Sequence, residues 1–301
     1  MNKDKPIIET VPNFSEGRDT TVIERITDAF RGQVGVKLLD YSSDRDHNRM
    51  VVTAAGEPHA ITDAIIRATG VAIDLIDMNV HRGVHPRMGA VDVIPFVPVR
   101  GCTADDAVML SREAGIRIAD TYGLPVFLYE QSATSPHRRN LADVRRGEFE
   151  GLGDKMEDAA WQPDFGPSHP HPTAGAVAVG GRAPLIAYNV NLATDRIEIA
   201  RAIARKLRHS SGGLRGCKAM GVRIDGGRAV QVSMNMTDYA NTSLYMAFEM
   251  VKVEARRYGV SVSGSEIVGL APLAAIVDTA AYYLGLESFT ERSILEARLA
   301  E

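Results

Sequence analysis

The stretch HRGVHPRMGAVDVIPFVPV, residues 81–99, sets His81 and His85 four residues apart, with arginines beside them and a β-type run behind them. On a helix that spacing puts both imidazoles on one face, where they could grip a metal. Gly83 lies between them, however, and Pro86 disfavours the α region for His85, so residues 81–86 should form a loop. No nearby carboxylate completes a familiar ligand spacing, and a metal-dependent amidohydrolase would need His81, His85 and Asp92 together. Two solvated loop histidines are the plain alternative. A third reading is a neutral imidazole fixed between a glycine and an X-Pro restriction, stiff enough to serve as a general base. Such a loop histidine is expected to titrate near the ordinary value of about 6.5. Composition does not rank these last two.

Three other segments carry candidate chemistry. DYSSDRDHNR, residues 40–49, is either a charged surface hairpin or a loop that sets Arg49 against an anion and Asp40 against a cationic or hydrogen-donating group. DFGPSHPHPTAG, residues 164–175, is either a stiff Gly/Pro linker or a ligand clamp. SEGRD, residues 15–19, is an ordinary helix cap first and a carboxylate-binding turn second.

These loops need elements to hold them. PIIETV (6–11), VGVKLLDY (34–41), RMVVTAAG (49–56), AVDVIPFVPV (90–99) and LPVFLYE (124–130) have strand character. Pro95 and Pro98 suggest that 90–99 is an edge strand or ends irregularly. Helices are expected over 15–32, with Val22, Ile23, Ile26 and Phe30 on one face, and over about 57–76 and 103–122. The second half continues with a strand at 183–192 and a helix carrying Ile199, Ile203 and Leu207. A hairpin then turns at Gly226–Gly227, followed by a helix with Leu244, Phe248, Val251 and Ala255 on one face. The strand SEIVGL and a helix opening at Pro272 complete the half. Both halves read βαββαβ, an α+β fold of two α/β subdomains, each a mainly antiparallel or mixed sheet with helices on one face. The Gly/Pro-rich stretch 150–184 is the natural boundary, giving subdomains of residues 1–178 and 179–301.

Bulk properties exclude several classes. At 301 residues and 45% hydrophobic, the chain can bury one large core or two smaller ones. A net charge of -4 without long single-sign runs argues against nucleic acid. No apolar run reaches the length of a membrane span, and the N-terminus lacks a signal-peptide core. Cys102 and Cys217 stand far apart and suit a reducing compartment, so a cytoplasmic globular protein is expected.

VPNFSEGRD, DHNR, HPRMGAVDVIPFVPV, WQPDFGP and VGLAPLAAIVDTAAYY follow one another in the order found in the glutamate formiminotransferase (formimidoyltransferase) family, which the chain resembles from about residue 7 to 284. The resemblance implies an enzyme of histidine degradation and one-carbon metabolism. It moves the formimino group of N-formimino-L-glutamate to N5 of tetrahydrofolate, giving 5-formiminotetrahydrofolate and L-glutamate. It also implies folate held between two subdomains, a cytoplasmic homodimer, and tetrahydrofolate, possibly polyglutamylated, as co-substrate with no metal. The family's catalytic histidine maps to His85, in HPRMGA. Its folate segment maps to Gly166, Pro167, Ser168, His169, Pro170, His171, Pro172, Thr173, Ala174 and Gly175, which here lacks the tryptophan near its end in animal relatives. With that chemistry, His85 takes the N5 proton and returns it to the departing glutamate nitrogen. Asp40 could orient the cationic amidine, while Asn48, Arg49 and Arg87 are the other candidate substrate contacts. Ending at residue 301, the chain resembles the stand-alone form without a cyclodeaminase domain. A formyl donor, N-formylglutamate, and a folate-binding module without turnover are the alternatives.

Overall fold

The structure is a computed structural model that describes residues 5–299. The chain divides into two compact units, Met1–Arg182 and Ala183–Glu301. The division falls a few residues beyond 178 because Val177–Gly181 is a strand of the first sheet.

In the first unit the elements are β1 (Ile7–Thr10), β2 (Asn13–Phe14), α1 (Thr20–Asp28), β3 (Val36–Asp44), β4 (Arg49–Gly56) and α2 (Pro58–Leu75). They continue with β5 (Val91–Arg100), α3 (Ala104–Tyr122), β6 (Val126–Leu128), α4 (Leu141–Val144), α5 (Leu152–Glu157) and β7 (Val177–Gly181). β1 and β2 lie end to end, each pairing antiparallel with β4 on one side and β5 on the other. β3 hydrogen-bonds to β4, while β5–β7 and β6–β7 pair in parallel, so the sheet is mixed.

β5 is therefore a central strand and not an edge, although its end is irregular as its prolines also suggested, with a register shift opposite Pro98 and Arg100. Pro95 falls opposite the break between β1 and β2, where no strand residue needs its missing N–H. Its carbonyl accepts the Thr10 hydroxyl at 2.8 Å. Pro98 lies beyond the β7 pairing, which ends at Phe96.

The helices form for local reasons. Asp19 caps α1 through the Thr21 and Val22 amides, so SEGRD does act as a cap. Thr103 and Asp106 make a reciprocal capping box on α3, which stops at Gly123 with φ 61°. Ile23 and Ile26 of α1, Ile61 and Ile65 of α2, and Leu110 and Ile118 of α3 pack on one sheet face against Phe14, Val91, Ile94 and Val177. The opposite face is not bare at the β5–β7–β6 end. Val93, Phe127 and Ala178 bury there against Val144, Leu152 and Met156 from the segment holding α4 and α5. Strands in a parallel arrangement need cover on both faces, and this segment supplies the second. What looked like the start of an interdomain linker is thus part of the first unit's core.

The second unit holds β8 (Ile186–Leu192), α6 (Ile197–Leu207), β9 (Cys217–Ile224), β10 (Ala229–Met236), α7 (Leu244–Arg256), β11 (Val262–Val268), α8 (Leu273–Leu284) and α9 (Leu295–Leu299). Its sheet is antiparallel in the order β11-β8-β10-β9. Alternate residues Ile186, Tyr188, Val190 and Leu192 point into a core closed by Ile199, Ile203 and Leu207 of α6 and by Leu244, Val251 and Ala255 of α7. The β9–β10 hairpin turns through Gly226 and Gly227, both at positive φ, as the expected turn requires. β8 to β11 with α6 and α7 run strand, helix, two strands, helix, strand. In the first unit that order is interrupted by the break between β1 and β2 and extended by α3, β6 and β7. Among the described residues no helix is long and apolar enough to cross a membrane.

Candidate active site

Four stretches of the first unit meet around His85. The β3–β4 turn is organised by Asp44, whose Oδ1 accepts the amides of Asp46 and His47, both at 2.8 Å. Asn48 closes the turn with φ 47°, a left-handed conformation that asparagine tolerates better than most residues. Buried Asn48 also joins its neighbours. Its Oδ1 accepts the Gly17 amide at 3.0 Å, and its Nδ2 donates to the Arg82 carbonyl at 3.1 Å. Gly17 must be glycine for this close approach, since a Cβ there would lie 2.2 Å from the Asp44 carbonyl oxygen. Ser15 donates its hydroxyl to Gly89 O at 2.7 Å and its amide to Ala90 O at 2.9 Å, strapping the SEGRD stretch to the histidine loop.

Within that loop the two histidines have different fates. His81 is buried, with its Nε2 2.9 Å from the Asn48 carbonyl and its Nδ1 accepting from Arg87 Nε at 3.3 Å. Arg87 has no acceptor to offer, so His81 is the neutral Nε2–H tautomer. Burial lowers its pKa, and the Asn48 carbonyl only partly offsets that. Arg87, also buried, reaches Glu148 at 2.9 Å and grips both oxygens of Glu150 at 2.8 and 2.7 Å. Hydrogen bonding from Arg87 holds the Glu150 carboxyl at about 2.

His85 sits half-buried on the far side of Gly83, its ring 6.1 Å from that of His47. Its Nδ1 is buried and makes no hydrogen bond among the described residues. Burial first, then the charges of Arg49 and Arg145, lower its pKa to about 3. The expected value near 6.5 does not hold, because this loop histidine is neither solvated nor electrically isolated. Arg49 and Arg145 each keep a buried Nε without a partner. Arg145 pairs with Asp92, whose other oxygen accepts the Met88 amide at 3.1 Å. Arg49 makes no ion pair among the described residues, and burial with the repulsion of Arg145 lowers it to about 10. Ser15, His47, Asn48, Arg49, His81, His85, Arg87 and Asp92 line a shallow, tightly packed recess.

Asn48, Arg49, His85 and Arg87 thus come together. Asp40 does not join them. It faces Thr53 in the middle of β3, four residues along β4 from Arg49, or about 13 Å at about 3.3 Å per residue. The Gly166–Gly175 segment borders the histidine loop at one end. Thr173 O accepts the Met78 amide at 2.8 Å, Pro172 O accepts Asn79 Nδ2 at 3.0 Å, and Ala174 O accepts the Ala90 amide at 3.0 Å. His171 and Gly175 exchange backbone hydrogen bonds, while Ser168, His169 and Pro172 are exposed. The other end is anchored by Asp164, which pairs with Arg138 at 2.7 Å and accepts the Leu128 amide at 2.8 Å. His81, His85 and Asp92 form no metal cage. Both nitrogens of His81 are engaged, and the Asp92 oxygens go to Arg145 and Met88.

Arg145 and the Glu148–Glu150 pair were not legible as site residues, since DVRRGEFEG looks like a charged surface run. One signal pointed to them. Asp92 sits within an apolar strand, and a carboxylate buried there requires a cation from elsewhere.

Residues 7–182 match the family described as Formiminotransferase domain, N-terminal subdomain, and residues 187–298 match Formiminotransferase domain. The chain is 50% identical over 294 residues to glutamate formimidoyltransferase of Streptococcus pyogenes serotype M1, with 97% of this chain and 98% of that one covered. It is 44% identical over 295 residues to glutamate formimidoyltransferase of Thermoplasma acidophilum, with 97% of each covered. Against formimidoyltransferase-cyclodeaminase of Dictyostelium discoideum identity is 45% over 307 residues, spanning 100% of this chain and 56% of that one.

Proposed function

The chain belongs to the formiminotransferase family, and we propose that it moves the formimino group of N-formimino-L-glutamate to N5 of tetrahydrofolate with His85 as the proton carrier. The observation that carries the role of His85 is its neutral imidazole, whose buried Nδ1 has no partner among the described residues, at a recess where His81 and Arg87 are fully committed. His81, the other candidate, has no free nitrogen with which to take a proton.

In this reading N5 attacks the formimino carbon, and the forming N–C bond makes N5 acidic. His85 accepts that proton as the tetrahedral intermediate forms. It then donates the proton to the glutamate nitrogen as the old C–N bond breaks, releasing L-glutamate and 5-formiminotetrahydrofolate. Arg49, with no internal carboxylate partner, holds a substrate carboxylate. Arg87, engaged by Glu148 and Glu150, instead fixes His81 and the loop. Residues Gly166–Gly175 are assigned to folate because their inner end is hydrogen-bonded to the loop that carries His85. Family membership supports a homodimer working in the cytoplasm, and sedimentation of the pure protein tests the dimer.

The test is incubation with tetrahydrofolate and either N-formimino-L-glutamate or N-formyl-L-glutamate, with the folate product identified by mass. A 5-formimino product from the first donor is expected. Product from the formyl donor alone, or from neither, overturns the reading.

A further inference from the structure

Among the described residues, three of the buried polar atoms without partners are Arg49 Nε, Arg145 Nε and His85 Nδ1. Arg49 and His85 line the recess, and Arg145 borders it through its pairing with Asp92, close enough for its charge to act on both. Buried donors are seldom left unsatisfied, and two guanidinium Nε–H groups in one neighbourhood have an anion as their natural complement. Nearby acids do not meet the need. Asp92 takes an Nη of Arg145 and the Met88 amide, Glu148 and Glu150 are held by Arg87, and Asp44 is occupied by its own turn and by His47 at 3.0 Å. Arg49 and Arg145 repel each other and both repel a proton on His85. The recess thus carries a positive field beside the proposed base that Asp92 and Asp44 offset only in part.

We propose that Arg145 is the second arm, with Arg49, of a seat for one carboxylate of the glutamyl donor, and that filling this seat makes His85 a competent proton acceptor. The inference rests on the proposed function and deepens it. A bound carboxylate supplies the acceptor that both Nε–H groups lack and offsets the arginine charges that, after burial, keep a proton off His85. With donor absent, His85 is too weak a base to draw a proton from N5. With the seat filled, its basicity rises toward the range in which a histidine transfers protons well. The base is thereby armed by the substrate on which it acts.

Arg145 owes its position to the fold around it. Lys155 donates to the carbonyls of Asp143, Val144 and Arg146 at 2.8, 2.6 and 3.1 Å and lies 3.8 Å from the Trp161 ring centre, clamping the backbone on both sides of Arg145. Asp92 then holds the guanidinium from below the loop. Groups facing His85 that must be accounted for are Arg49 on β4, Arg145, His47 on the turn, His81 and Arg87 on its own loop, and Asp92 on β5.

The test uses L-glutamate as the probe, calorimetry for its affinity, and NMR of ring-labelled histidine to follow His85, with His47→Gln to assign the neighbouring signal. In the wild-type protein, saturating glutamate should raise the His85 titration midpoint by at least one unit. By reciprocity, glutamate should bind about tenfold tighter for each such unit as pH falls through that interval. Arg145→Gln should weaken glutamate about 10–100-fold and shrink the midpoint shift. That substitution leaves Asp92 unpaired, so Arg145→Gln/Asp92→Asn, which neutralises both, guards against misfolding. Glutamate that binds without moving His85, or that binds the folded double variant as tightly as wild type, overturns the proposal. Formimino transfer with an unmoved His85 would refute this inference alone. A moved His85 in a protein that does not turn over N-formimino-L-glutamate would refute only the proposed function.

Discussion

Replacing His81 and His85 in turn should give opposite results, although they stand four residues apart on one loop. His81→Ala strips the Asn48 carbonyl and Arg87 Nε of their partner, in a region where both residues are under 10% exposed. A buried group left unpaired costs about 1–3 kcal/mol, and the 3.3 Å contact to Arg87 belongs at the weak end, so the sum is about 3 kcal/mol. For a unit of this size each kcal/mol moves the midpoint by about 2–4 °C, so Tm should fall by about 6–12 °C. His85→Ala breaks no hydrogen bond at Nδ1, and Tm should stay within about 2 °C. Its kcat should instead drop about 10²–10⁴-fold, the usual loss on removing a general acid–base group. Calorimetry of the three proteins and steady-state rates at 25 °C, where all remain folded, separate the two effects. The reasoning fails if His85→Ala melts as early as His81→Ala, or if it keeps turnover while folded His81→Ala loses it.

Because a base must be unprotonated and His85 is lowered to about 3, kcat/KM of the free enzyme should stay flat from pH 8 to about 5 once the titrations of N5 and donor are removed. A His85-dependent limb near 6.5 in that profile contradicts this. Arg87→Met should flatten the acid-side stability loss. Arg87 holds Glu150 at about 2 against an ordinary 4.5, so the pair's contribution is present above 4.5 and disappears as pH falls toward 2. The Tm difference between wild type and variant should therefore shrink from pH 6 to pH 2–3. Gly175→Ala would put a Cβ 2.3 Å from the Met88 oxygen at φ 70°, and should raise KM for tetrahydrofolate more than about tenfold. Gly153→Ala in α5 meets no atom within 4 Å and should leave KM unchanged while adding about 0.5–1 kcal/mol of stability. Equal KM values for the two variants would remove the 171–175 turn from the folate site.

Periodicity and turn chemistry determined most of the elements, because those signals act between residues within one or two turns of chain. Ile23 and Ile26, Ile199 and Ile203, and the Gly226–Gly227 turn could each be placed without knowing the fold. Pro86 and Gly83 already argued against a helical histidine pair, and the family resemblance pointed to His85 as its catalytic histidine. Other features depend on partners remote in sequence. Pro95 is tolerated in a central strand only because β1 breaks opposite it. Residues 150–184 look like a linker until Leu152 and Met156 are seen to cover the second face of β5 and β7. His81 and His85 are chemically equivalent as letters. What separates them is Asn48 O and Arg87 Nε on one, and the field of Arg49 and Arg145 on the other. Arg145 reaches its place 53 residues from Asp92 in the chain, through a salt bridge between the end of α4 and β5. Coulomb energy and desolvation depend on distance in space and on exclusion of water, and folding sets both.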